Sequence, residues 1–211
     1  MPNVDANDLL ELIQSRRTVR KFDSLKPVSQ DSLTRILEAG TWAPYAPYYP
    51  QGWKFIALRG SLRDEAVKII TKSHSIMKYL RALYESAPYG GEVESEEEHH
   101  WKEFAHDFGK NLGGAPVVVV GLVPYDSTVE ILGHNLGSAW AAVENMMLQA
   151  QAEKLACGVV TIHTPHVVKE LIKFLGLNEN EWVVAFILNV GHAAEIPQVV
   201  PRKAGLFEIR S

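Results

Sequence analysis

The chain has 211 residues, 46% of them hydrophobic and 22% charged, a composition typical of a globular protein that buries its own core. The formal net charge of -4 argues against general nucleic-acid binding, which needs a basic face. Cys157 is the only cysteine, the N-terminus has no signal-peptide pattern, and no apolar run is long enough to span a bilayer. We therefore expect a cytoplasmic protein. We also expect a single domain over residues 1–211.

The first part of the chain predicts three helices and one strand. Asp5 or Asn7 is expected to cap the first helix, Ser29 caps the second, and Ser61 starts the third. A strand is predicted over residues 53–58. The first helix is expected to bury one apolar stripe, made of Leu9, Leu10, Leu12 and Ile13.

The second part of the chain centres on a long helix, predicted from about residue 128 to 153. It is apolar on most of its circumference, which is typical of a helix in a large core or an interface. A shorter helix has Pro165 at its first position and ends at Gly176. Because strands and helices do not alternate strictly, we expect an α+β layer fold. Its further strands are predicted at 116–122, 158–162 and 182–190.

The densest chemical signal is the segment 16–22, Arg-Arg-Thr-Val-Arg-Lys-Phe, which places four cations within six residues. Guanidinium groups keep their charge and offer a rigid fork of donors that suits phosphate, and Thr18 adds a hydroxyl. A basic helix end in solvent would look the same locally. Arg202 and Lys203 form a second basic pair, either a further clamp on the same anion or an exposed dibasic.

Three other groups of residues each allow a functional and a structural interpretation. The aromatic loop 44–53 suits either a flat heterocycle or a core plug. Cys157, with His163 as a possible partner, is a nucleophile or, as we expect, a buried structural thiol. Two E-x-x-H spacings lie within 97–106, but Glu97 and Glu103 would stand roughly 240° apart on one helix, so we expect a solvated acidic face and no metal site.

Four segments in order carry a family resemblance over nearly the whole chain. Residues 16–22 resemble the signature R-R-S-x-R-x-F, and 42–44 with 51–56 are similar to A-P-S…N-x-Q-P-W-x-F-I. The helix at 136–148 resembles a central dimer helix, G-x-A-x-x-x-x-N-x-x-L, and the tail carries a similar Gly-His and basic pair. Together these segments resemble the nitroreductase family of FMN-dependent oxidoreductases.

The resemblance implies a nitroreductase-like α+β fold, a three-layer mixed sheet flanked by helices, in a domain-swapped-type homodimer with FMN at the interface. It implies hydride transfer from NAD(P)H to an aromatic, nitro or quinone-type acceptor by a ping-pong mechanism. The flavin carries the chemistry, so no catalytic side chain is named.

By position, the resemblance also implies the site residues. The polar edge and phosphate of the flavin would be met by Arg16, Arg17, Thr18 and Arg20. The flavin would be reached from the other subunit by Pro44, Tyr45 and Ala46, together with Gln51. Its reactive nitrogen would be approached by the backbone at Val160, Thr161 and Ile162, and its phosphate would be bound by Arg202 and Lys203. Tyr48, Tyr49, Trp101 and Phe104 are candidates to contact substrate.

Several positions depart from the family pattern, and they line the expected site. Tyr45 and Ala46 replace a small Ser pair, and Gly52 stands where Pro is usual. These departures leave a second interpretation open, a specialised flavoprotein of the same fold that acts as a dehydrogenase, dehalogenase or flavin-binding protein. A third is a non-flavin protein, with a metal site on the His/Glu stretch or a pure interaction role.

Overall fold

The computed structural model describes residues 5–46, 51–73, 108–197, 199 and 202–210. The helices are α1 (Ala6–Ser15), α2 (Gln30–Thr41), α3 (Gly60–Ile70), α4 (Val129–Ala152) and α5 (Pro165–Phe174), with a short 3-10 turn at Leu112–Gly114. The strands are β1 (Lys54–Arg59), β2 (Val117–Pro124), β3 (Ala156–Val160) and β4 (Trp182–Gly191). The predicted elements are therefore present, with ends shifted by one or two residues.

The four strands form one sheet in the order β1-β2-β4-β3. Every neighbouring pair is antiparallel, which differs from the expected mixed sheet for the strands that the structure describes. A helix usually connects two parallel strands, but when the chain runs back along the sheet after the helix, the next strand is antiparallel. The order of helices and strands in the sequence therefore does not decide strand direction.

Helices cover both faces of the sheet, which gives the expected three layers and confirms the α+β class. Along β2, Val118 and Val120 face the core beneath α3 and α5, whereas Val117 and Val119 face the core beneath α2 and α4. All four side chains are fully or almost fully buried. A strand buried on both faces reads as a continuous apolar run, as this one does.

Side-chain caps fix where the first two helices begin. The Asp5 carboxylate accepts the backbone N–H of Asn7 at 2.7 Å, so Asp5 and not Asn7 is the cap of α1. The Ser29 hydroxyl accepts the N–H of Ser32 at 3.0 Å and caps α2. Helix α3 begins at Gly60, one residue before the predicted start.

The apolar stripe of α1 is exposed, contrary to the prediction. Leu10 is 52% exposed, Leu9 and Ile13 are similar, and no residue of α1 is buried. The helix lies beside α4, where Leu12 is half-buried while the other three side chains of the stripe are exposed. On α4, Val129 is 86% exposed and Trp140 42%. Among the described residues no helix is long and apolar enough to cross a membrane.

Candidate functional site

The basic segment 16–22, called here the basic strap, runs along the free edge of β3. It leaves α1 in an extended conformation at Arg16, and the Val19 N–H donates to the Cys157 carbonyl at 2.8 Å. Further on, the Phe22 N–H donates to the Gly113 carbonyl at 2.8 Å. Val19 and Phe22 point inward and are buried, so they anchor the strap while its cations stay near the surface.

Two glycines let the backbone of the strap approach this closely. A Cβ at Gly158 would lie 2.1 Å from the Val19 carbonyl oxygen, and one at Gly113 would lie 1.9 Å from the Arg20 carbonyl oxygen. Gly113 also has φ +72°, a conformation that side chains disfavour. The positions of the strap's cations therefore depend on glycines that are more than ninety residues away in the sequence.

The Arg16 guanidinium pairs with Glu144 through one nitrogen, and a second, buried nitrogen lacks a hydrogen-bond partner among the described residues. Its Nε donates to Glu144 of α4 at 3.2 Å, and its side chain is 18% exposed. Its Nη1 is buried and has no hydrogen-bond partner among the described residues. A buried donor without an acceptor costs about 1–3 kcal/mol, so this geometry fits an acceptor that a bound ligand supplies.

The other predicted cations differ in whether their side chains already form hydrogen bonds within the described residues. The Arg17 guanidinium donates to the Gln14 and Arg16 carbonyls and so stabilises the end of α1. Arg20 is half-buried, and no hydrogen bond of its side chain is present within the described residues. Arg202 and Lys203 are exposed, and neither side chain forms a salt bridge or a hydrogen bond with any other described residue.

The end of β3 presents backbone rather than side chains. Val160 and Ile162 both point into the core beneath α3 and α5, and Thr161 between them is half-buried. Thr161 and Ile162 follow the last residue of β3, and the approach of this backbone to a flavin stays a prediction.

Cys157 is a buried structural thiol, as expected. Burial raises the pKa of its thiol to about 12, and the nearby charge of Arg16 offsets only part of that rise. The thiol stays neutral until the pH approaches that value, so it is not a nucleophile at neutral pH.

We expect Cys157 to resist alkylation in the folded protein. Iodoacetamide at about pH 8 should leave the native chain unmodified and should add one label in denaturant, because a thiolate is the reacting species. Intact-protein mass spectrometry measures the outcome. One label on the native protein would contradict the buried thiol.

The loop that follows α2 is fastened to α4. The Tyr45 hydroxyl donates to the Asn135 side-chain carbonyl at 3.1 Å, and the Ala46 N–H donates to the Ser138 hydroxyl at 2.9 Å. Gln51 donates weakly to the Thr41 carbonyl at 3.4 Å. Asn135 and Ser138 were not predicted as site residues, although polar residues on a mostly apolar helix are a signal of such contacts.

Some predicted positions lie outside the described residues. These are Tyr48, Tyr49, Trp101, Phe104 and the His/Glu stretch 97–106. Within the described ranges there is no group of three or more His, Cys, Asp or Glu side chains that could hold a metal ion.

A comparison with protein-family models decides the family. The model described as the nitroreductase family matches residues 13–192, most of the chain. The chain belongs to the nitroreductase family. Among curated proteins, it is 33% identical over 55 residues to the Bacillus subtilis (strain 168) protein named "Putative NAD(P)H nitroreductase YdgI". That match spans 26% of this chain and 26% of that relative, about a quarter of each.

Solved structures of nitroreductase-like proteins share the fold. A nitroreductase-like family protein from Bacillus cereus has a TM-score of 0.69 at 20% identity, covering 100% of this chain and 98% of that one. An FMN-bound nitroreductase from Bacteroides fragilis has a TM-score of 0.68 at 23% identity, covering 98% and 100%. An FMN-bound nitroreductase from Desulfitobacterium hafniense has a TM-score of 0.67 at 22% identity, with the same coverage. At these identities the likeness concerns the fold.

Proposed function

We propose that this nitroreductase-family chain binds FMN on the basic strap and works as an NAD(P)H-dependent oxidoreductase. The observation that supports the proposal best is the buried Nη1 of Arg16, which lacks an acceptor among the described residues. A phosphate or a flavin carbonyl would supply that acceptor, and the buried donor would then form a charge-assisted hydrogen bond. Two of the three solved structures named above are nitroreductases with bound FMN.

In this proposal the chain contributes binding and electrostatics. Arg16, Thr18 and Arg20 hold the polar edge and phosphate of the cofactor, and Arg17 fixes the helix end from which the strap starts. Arg202 and Lys203 join from the tail. The chemistry that bound FMN supplies is hydride acceptance from NAD(P)H and donation to an aromatic, nitro or quinone-type acceptor in a second binding event.

We also propose that the working unit is a homodimer, one domain per chain over residues 1–211, with the sites at the interface. The exposed apolar faces of α1 and α4 support this, since a lone soluble chain rarely leaves such patches open. The tail adds more apolar side chains to the surface, namely Ile196, Val199, Leu206, Phe207 and Ile209.

In such a homodimer, Pro44, Tyr45 and Ala46 would lie near the flavin of the other subunit. A reducing cytoplasm suits the free thiol of Cys157.

Cofactor binding and anaerobic reduction test the function. We expect the purified protein to bind FMN, to gain thermal stability from it, and to lose the yellow flavin absorbance when NADH or NADPH is added without oxygen. A protein that stays colourless and is not stabilised by FMN would contradict the proposal. A yellow protein that neither pyridine nucleotide bleaches would favour the specialised flavoprotein, which the unusual Tyr45 and Gly52 motivate.

Trp140→Glu should break the homodimer. A carboxylate on the exposed apolar face of α4 would be buried without a partner on association, which costs several kcal/mol. We expect monomers and weaker FMN binding, measured by light scattering after size-exclusion chromatography and by flavin titration. Leu62→Glu is the control, because Leu62 is also exposed but lies on α3 across the sheet. Dimers of unchanged stability in both variants would contradict the α4 interface.

A further inference from the structure

The Arg63 side chain of α3 is buried, and its guanidinium donates to both ends of the turn over residues 111–115. Its Nε donates to the Ala115 carbonyl at 2.9 Å, and its Nη2 donates to the Asn111 backbone carbonyl at 2.8 Å. Its Nη1 donates to the Asn111 side-chain carbonyl and to Asp64, whose side chain is 61% exposed. Because Arg63 itself is only 7% exposed, the carbonyls of this one turn are what stabilise its buried charge.

The backbone between those two bonds is left-handed at three consecutive residues. Leu112 has φ +49°, Gly113 has φ +72° and Gly114 has φ +77°. Leu112 is fully buried, and a non-glycine residue rarely adopts this conformation. Backbone strain of this kind persists only where the surrounding structure holds it. The guanidinium of Arg63 bonds to the chain on both sides of the strained residues and therefore holds the turn in place.

The second half of the basic strap rests on this same turn. The Phe22 N–H donates to the Gly113 carbonyl at 2.8 Å, and a Cβ on Gly113 would lie 1.9 Å from the Arg20 carbonyl oxygen. The first half of the strap has a separate anchor on β3, the hydrogen bond from Val19 to Cys157. The position of Arg20 therefore depends on the turn, and the turn depends on α3.

We propose that Arg63 is a positioning residue that sets the place of Arg20 for the cofactor through the turn 111–115. This inference rests on the proposed function, in which Arg20 contacts bound FMN. The role needs arginine, because its rigid fork of donors reaches the carbonyls on both sides of the turn at once, whereas lysine offers one compact ammonium. Without the fork, the strained turn relaxes and the Gly113 carbonyl moves away from the Phe22 N–H.

Arg63→Lys tests the role, with Arg59→Lys as the matched control. Lysine keeps the charge and loses the fork. Arg59 also donates to a backbone carbonyl, that of Val28 at 2.7 Å, but this bond lies beside the start of α2. In the cofactor-free Arg63→Lys protein we expect the Phe22 amide to exchange its hydrogen roughly threefold faster or more by NMR, with Val19 exchange unchanged. FMN should bind roughly fivefold more weakly. Arg59→Lys should change none of these quantities.

A double-mutant cycle shows whether Arg63 acts through Arg20. In an Arg20→Ala background, Arg63→Lys should change FMN affinity by less than about twofold, because the cation that it positions is absent. Asn111→Ala removes one acceptor of Arg63 at an exposed position and is therefore a milder change. It should shift Phe22 exchange and FMN affinity in the same direction as Arg63→Lys, by a smaller factor.

The results separate positioning from a merely structural role. A structural Arg63 would lower the melting temperature alone. An Arg63→Lys protein whose Phe22 exchange and FMN affinity match those of Arg59→Lys would overturn the proposal. So would a loss of FMN affinity that is equally large with and without Arg20. A parent protein that binds no FMN would instead refute the proposed function, and Phe22 exchange, measured without cofactor, would still show whether Arg63 holds the strap.

Discussion

Gly158→Ala should unfold at a clearly lower temperature and should bind FMN more weakly. The new methyl carbon would lie 2.1 Å from the Val19 carbonyl oxygen, a backbone atom that cannot rotate away. Either the strap or β3 must move, and overpacking of this kind costs about 1–3 kcal/mol. Loss of the Val19 to Cys157 hydrogen bond adds about 1 kcal/mol. For a chain of this length we expect the melting temperature to fall by roughly 5–15 °C.

The binding loss follows from the same displacement. Arg16, Thr18 and Arg20 lie on the segment that the methyl group pushes away, so the cofactor contacts that we propose for them should loosen together. We expect FMN affinity to fall by about tenfold or more, equivalent to about 1.4 kcal/mol. Differential scanning calorimetry measures the first effect, and flavin titration well below both melting transitions measures the second.

Cys157→Ala is the control that separates stability from position. It removes one buried sulfur at the neighbouring residue and should cost about 1 kcal/mol of unfolding free energy, but it leaves the Val19 hydrogen bond and the strap in place. Its FMN affinity should stay near that of the parent. A Gly158→Ala protein with unchanged FMN affinity would show that the strap does not hold the cofactor.

The sequence predicted most elements because their signals are local. The Val-rich run of β2, the capped start of α2 and the length of α4 each depend on residues a few positions apart, and each is present. The antiparallel direction of the strands and the exposed stripe of α1 were not predicted, since both depend on how distant parts of the chain meet. An apolar helix face looks the same in sequence whether a core or a second copy covers it.

The candidate site likewise combines residues that a local pattern predicts with residues that distant parts of the chain contribute. The cations of the strap stood out in the sequence because four of them are neighbours. Glu144, Gly158 and Gly113, which place those cations, lie in three other segments and carry no local signal. Tyr45 was singled out in the sequence as a departure from the family pattern, but its contacts with Asn135 and Gly52 appear only when three segments are brought together in space.

Arg16→Ala should weaken FMN binding strongly and leave the stability of the cofactor-free protein almost unchanged. Hydrogen bonds to a charged group contribute about 1.5–3 kcal/mol, so FMN should bind about 10- to 150-fold more weakly. The ion pair that is lost involves Glu144, which is 46% exposed and contributes at most about 1 kcal/mol. The variant also removes the buried Nη1 that lacks a partner, which offsets part of that loss.

Riboflavin identifies the group that Arg16 binds. If Arg16 holds the phosphate, Arg16→Ala should lower the affinity for FMN and leave that for riboflavin, which has no phosphate, unchanged. Equal losses for both would place the guanidinium at the ring instead. Arg17→Ala is the control, since that guanidinium already donates to carbonyls at the end of α1 and should lose much less. If Arg16→Ala retained full affinity for both flavins, its buried donor would have some other acceptor, and the strongest support for the proposed function would be gone.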